Sequence, residues 1–105
     1  MANALDLSVF NKKTFDITME DGTKINIKKP SQQLVIDMML MENLDKGNPI
    51  EIMEGLASIV LKILNNNTNT IEFTLEQVKK MDLFMLQAIV KSYGEFINEL
   101  QNNPN

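Results

Sequence analysis

The sequence predicts an α+β domain: an N-terminal β-hairpin packed on a bundle of three main α-helices, the C-terminal one longest. Three observations predict it. Apolar and polar residues alternate on both sides of an Asp21-Gly22 turn. Beyond Pro30 the apolar spacing changes from two residues to three and four. Capping residues stand at the starts of the segments so spaced.

Residues 1–13 show no clear period and are expected to form a flexible arm, which Leu5, Leu7, Val9 and Phe10 could dock as an edge strand or a short turn. The hairpin spans residues 14–29. Phe15, Ile17 and Met19 alternate with Asp16, Thr18 and Glu20, and Ile25 and Ile27 with Lys24, Asn26 and Lys28. Parity fixes its loop. A two-residue Asp21-Gly22 loop would pair Met19 with Lys24 and set the two apolar series on opposite faces. A three-residue loop, Glu20-Asp21-Gly22 with Gly22 left-handed, pairs Ile17 with Ile25 and Phe15 with Ile27, and that register is expected.

Pro30 ends the second strand, and Ser31 caps a helix over about residues 31–45, with Lys46-Gly47 as its stop. Asn48-Pro49 opens a second helix over 49–64, its stripe formed by Ile52, Leu56, Ile59, Val60 and Ile63. An asparagine-rich loop follows, and Ile71-Glu72-Phe73 is expected as a short strand or staple. Thr74 and Gln77 form a capping box for a third helix over 75–101, about 40 Å long at 1.5 Å per residue. Residues 102–105 are expected to be a disordered tail.

The 105 residues carry a net charge of −4 and contain no His and no Cys. Ser–His and Cys–His nucleophile pairs are therefore excluded, as are zinc–thiolate sites. The nearest carboxylate groupings, Glu20-Asp21, Glu51/Glu54 and Glu95/Glu99, fall in a turn or on polar helix faces and read as solvated charge. Asp37 interrupts an apolar run and reads as the wet side of its helix. No phosphate-binding glycine loop and no metal-ligand spacing is present, so no enzyme, cofactor or metal is expected. All ten basic residues are lysine. Without arginine the bidentate contacts that read guanine are unavailable, and the acidic balance repels polyanions, so nucleic acid is not an expected partner. Lys24 and Lys28-Lys29, balanced by Asp16, Glu20 and Asp21, read as a solvated face. Neither long apolar stretch approaches the roughly 20 residues of a membrane span. The N-terminus lacks the pattern of a signal peptide, so the expected location is the cytoplasm.

The informative excess is apolar. Eight residues are methionine. Any one of them is accounted for as a filler of core gaps. The first helix, however, carries Leu34, Val35, Ile36, Met38, Met39, Leu40, Met41 and Leu44, more than one face of apolar side chains, and the third is similarly broad between Met81 and Val90. A small core needs one stripe per helix. The surplus points to protein binding, self-association included, with Met38, Met39, Met41, Met81, Phe84 and Met85 as the expected contact residues.

The hairpin on an acidic-Asp-Gly turn within Phe15–Pro30, the Lys-Pro boundary, the two helices, the asparagine-rich connector ending in Ile71-Glu72-Phe73-Thr74, and the long helix closing in Tyr93-Gly94-Glu95-Phe96-Ile97-Asn98-Glu99 resemble a known family. That family is the tail assembly chaperones of long-tailed phages and prophages of Gram-positive bacteria, and the resemblance covers roughly everything after residue 14. It implies a cytoplasmic, non-enzymatic factor that coats the tape measure protein, keeps it soluble and recruits major tail protein, and that is absent from the finished virion. It also implies a second, longer form made by a programmed frameshift. Two other readings fit the same residues: an antitoxin-like or regulatory protein-binding module, and a structural component of the tail.

Overall fold

The hairpin has the register that parity requires. In the computed structural model, which describes Leu5 and residues 13–42 and 48–102, β1 (Phe15–Thr18) and β2 (Lys24–Ile27) are antiparallel, with Phe15 opposite Ile27 and Ile17 opposite Ile25. The loop has three residues. Gly22 N–H donates to the Met19 carbonyl at 2.9 Å, Met19 N–H donates to the Thr23 carbonyl at 2.8 Å, and Gly22 takes φ +90°, where a side chain would be strained. Ile25 and Ile27 are fully buried, while Asp16 and Thr18 face water.

Four helices follow. The first, α1 (Gln32–Glu42), starts at Ser31, whose Oγ accepts from Leu34 N–H at 3.1 Å. Its expected stop at Lys46-Gly47 lies outside the described residues, as do most of the arm and the last three residues of the tail. The second, α2 (Pro49–Asn65), is capped by Asn48 Oδ1 accepting from Glu51 N–H, with Pro49 in the first turn. It is the hub of the fold, packing against α1, β2 and both later helices. Leu56, Ile59, Val60 and Ile63 of its expected stripe are buried, joined by Ala57 and Leu64.

The expected single helix over 75–101 is two helices. The capping box is present as predicted, with Gln77 N–H donating to Thr74 Oγ1 at 3.2 Å and Thr74 N–H to Gln77 Oε1 at 2.8 Å. It opens only a five-residue α3 (Leu75–Lys79), after which α4 (Leu83–Asn102) begins. The chain tightens as Met81 N–H reaches the Val78 carbonyl. Asp82 then starts afresh, its carboxylate accepting from Phe84 N–H at 2.7 Å. An aspartate that can satisfy first-turn amides favours a new start over continuation. The last turn runs one residue further than expected, taking in Asn102.

The second departure is the asparagine-rich connector. Ile71-Glu72-Phe73 forms no strand. Asn65 instead pins Phe73 by a reciprocal pair, Phe73 N–H to Asn65 Oδ1 at 2.7 Å and Asn65 Nδ2 to the Phe73 carbonyl at 3.1 Å. The preceding residues lie along the outer edge of β2. Lys28 N–H donates to the Asn66 carbonyl, Thr68 N–H to the Asn26 carbonyl, and Asn26 N–H to Asn69 Oδ1. Asn67 is buried. Its Nδ2 donates to the Leu64 and Ile71 carbonyls at 2.7 and 2.8 Å, and its Oδ1 accepts from the amides of Asn69 and Ile71. Asn66 Nδ2 donates to the Lys28 and Lys29 carbonyls, both at 3.1 Å.

Tyr93 of α4 completes the junction. It is fully buried, its ring 5.5 Å from Phe15 and 5.9 Å from Phe96, and its hydroxyl donates to the Lys28 carbonyl at 2.6 Å. Burial pushes the phenol up to about 12, against the smaller opposing effect of the Asn66 amide.

Asn67→Ala is expected to lower stability by about 3 kcal/mol, because buried carbonyls and amides lose their partners. Asn67→Asp, similar in shape but without donors against two carbonyl oxygens, should be no better, and urea denaturation of the three proteins checks both. For Tyr93, the raised value means that the unfolded chain releases its phenolic proton first as pH rises. The associated stability is present below about pH 10 and lost as pH climbs toward 12. Tyr93→Phe should cost about 1 kcal/mol at neutral pH. Between pH 10 and 12 the wild type should lose about 2 kcal/mol more than the variant, a difference in which the shared lysine titrations cancel.

Candidate functional site

Helix α1 buries little of its apolar surface. Leu34 is in the core, Val35, Met38 and Met41 are half-buried, and Ile36, Met39 and Leu40 are 47, 59 and 60% exposed. The physical reason is position. Among the helices α1 packs closely against α2 alone, so one stripe is enough to seat it and the remaining apolar residues face outward. Asp37 lies in the α1–α2 seam, neither open to water as expected nor buried. Its carboxylate accepts from Lys62 Nζ and Gln33 Nε2, both at 2.9 Å, and these partners, Lys62 foremost, hold it below the usual carboxylate range. The pair sets where α1 lies on α2.

The six contact residues expected from the sequence do not form one surface. Met38, Met39 and Met41 line a groove of about 510 Å³ between α1 and α4, closed on the far side by Val90, Gly94 and Ile97. Met81 and Met85 are half-buried and line a second groove, of about 480 Å³, between β1 and α4. Phe84 belongs to neither. It projects from the first turn of α4 with 76% of its surface exposed. The split follows from which elements flank α4: α1 along one groove and β1 along the other.

Sequence reasoning missed a third apolar patch. Ile50 and Met53, 66 and 48% exposed, stand near Met81 and Leu83 across the α2–α4 junction. Their signal was present: both fall off the buried stripe of α2, three residues apart and therefore on one side of the helix.

Among the described residues no group of three or more acidic or other ligating side chains could hold a metal ion, and no helix is long and apolar enough to cross a membrane. The three apolar surfaces are open grooves and patches with few charged side chains. No protein-family model, curated protein or solved structure matches the chain.

Residues that face outward carry little folding energy. Met39→Gln with Leu40→Gln should change stability by no more than about 0.5 kcal/mol per site, whereas Leu34→Ala should cost about 2–4 kcal/mol. Thermal and urea unfolding of the two variants separate the outward face of α1 from its packing face.

Proposed function

We propose that this chain is a non-enzymatic tail assembly chaperone that works in the cytoplasm of a bacterial host. It binds the long helical tape measure protein, keeps it soluble and brings tail tube protein to it. The observation that supports this reading is helix α1, apolar nearly all round, with Ile36, Met39 and Leu40 exposed and Met38, Met39 and Met41 lining a groove shared with α4. Methionine side chains are flexible and polarizable, which suits a surface that must accept many irregular apolar segments in turn. The order of hairpin, two helices, asparagine-rich connector and long final helix is the family resemblance that gives the surface its client.

A long client with many apolar segments would bind many copies, each held weakly, so that the growing tube displaces them without any one tight complex having to be broken. Self-association along the client fits the same surfaces.

Co-expression with the neighbouring large, coiled-coil-rich reading frame of the source genome tests the proposal. The partner should become soluble and co-purify with many copies of this chain by light scattering. The combined Met38→Gln, Met39→Gln and Met41→Gln variant should remain folded by circular dichroism and lose most of the partner. A partner that stays insoluble, or that binds the folded variant as well as the wild type, would overturn the reading. A defined one-to-one or two-to-two complex with another target would favour a regulatory module instead.

A further inference from the structure

The two edges of the hairpin differ. On β2 the outward groups of Asn26 and Lys28 are taken by Asn66, Thr68 and Asn69. Since Asn26 points its backbone outward, Asp16 opposite it does the same on β1, and so does Thr18 two residues on. Among the described residues nothing hydrogen-bonds these two amides. The edge is about 13 Å long at 3.3 Å per residue.

The second groove runs along this edge. Three consecutive residues of the chain, Ile17, Thr18 and Met19, line it. Consecutive residues in extended chain point to opposite faces, so a groove touching all three lies along the side of the strand. Its opposite wall is apolar, formed by Met81, Met85, Ala88 and Ile89. Its charged lining residues are Glu20 and Asp21, both acidic and exposed, with Asp16 exposed on the same strand. Hydrogen bonds hold two of these carboxyls below the usual range, Asp16 through Asn26 and Thr14, Asp21 through Thr23, so the lip stays negative into the acid range.

We infer that the outer edge of β1, unpaired among the described residues, is a docking site for an extended segment of a partner protein, with apolar side chains at every second position and a basic end. The partner strand pairs with the outward backbone of Asp16 and Thr18, sets alternate side chains against Met81, Met85 and Ile89, and brings its lysines or arginines to Glu20 and Asp21. This site is independent of the α1 surface and of the client proposed for it. A helix-binding surface and a strand-binding edge require different partner segments.

The probe is a soluble peptide of alternating valine and threonine with lysines at one end. Two controls accompany it: the same peptide ending in glutamates, and the lysine peptide N-methylated at alternate amides. Binding is followed by fluorescence anisotropy, with amide exchange at Asp16 and Thr18 read by NMR. The lysine peptide should slow exchange at both amides about tenfold and bind about fivefold more tightly than the glutamate peptide. The N-methylated peptide should not bind, and Glu20→Lys, at an exposed turn position, should remove the preference for lysine. Equal binding of all three peptides would overturn the inference, as would exchange at Asp16 and Thr18 that is already slow in the free chain. In the latter case light scattering identifies the occupant: a dimer means a second copy, a monomer the chain's own N-terminal segment.

Discussion

The side-chain amides of Asn66 and Asn67 hold the structure to one arrangement. Where α2 ends, its last carbonyls have no helical partner, and the outer edge of β2 arrives at the same place with its own unpaired groups. The Leu64 carbonyl lies in the core, where an unpaired backbone group is costly. Asn67 caps the Leu64 carbonyl and braces the loop through Ile71 and Asn69, while Asn66 binds the Lys28 and Lys29 carbonyls. An amide can donate and accept at once, which neither an aspartate nor a lysine can do. Tyr93 then attaches α4 to the same Lys28 carbonyl. Hairpin, hub helix and final helix thus meet at one set of polar contacts.

What this junction covers determines what stays open. It closes the β2 edge, while no described residue pairs with the β1 edge. It draws β2, α3 and α4 onto α2, while α1 is attached by its Leu34 stripe and the Asp37–Lys62 pair. Among the described residues the exposed apolar side chains are therefore not spread evenly: they lie chiefly on α1, at the start of α2 and at the start of α4.

Much of this was legible in the sequence because local chemistry decided it. The choice of a three-residue loop over a two-residue one followed from parity, since the shorter loop would have put the two apolar series on opposite faces. Asn48-Pro49 and Thr74 with Gln77 marked helix starts through donors they satisfy within one turn. Asp82 carried the same kind of signal and was overlooked, because apolar residues continue on both sides of it at helical spacing and periodicity does not register a change of axis. The connector was misread for another reason. Its asparagines look like loop polarity, and their partners, Asn26, Lys28 and Lys29, are about forty residues away. Composition predicted the apolar surplus, but only the packing shows that it divides among separate grooves.

That division has a chemical consequence. The backbone of α1 is satisfied within the helix, so its outer face offers a partner only side-chain area, dispersion and the exclusion of water. Such contacts tolerate changes of sequence and register, and methionine adapts to them. The edge of β1 offers backbone donors and acceptors at fixed spacing, which admit only an extended chain in one of a few registers and reject a helix. On the proposed reading, a permissive surface and a restrictive one on a single small domain engage two different partners, or two different states of one partner, without competing for the same residues. The permissive face suits a client whose sequence varies along its length. The restrictive edge suits a segment that must be recognised once and in one orientation.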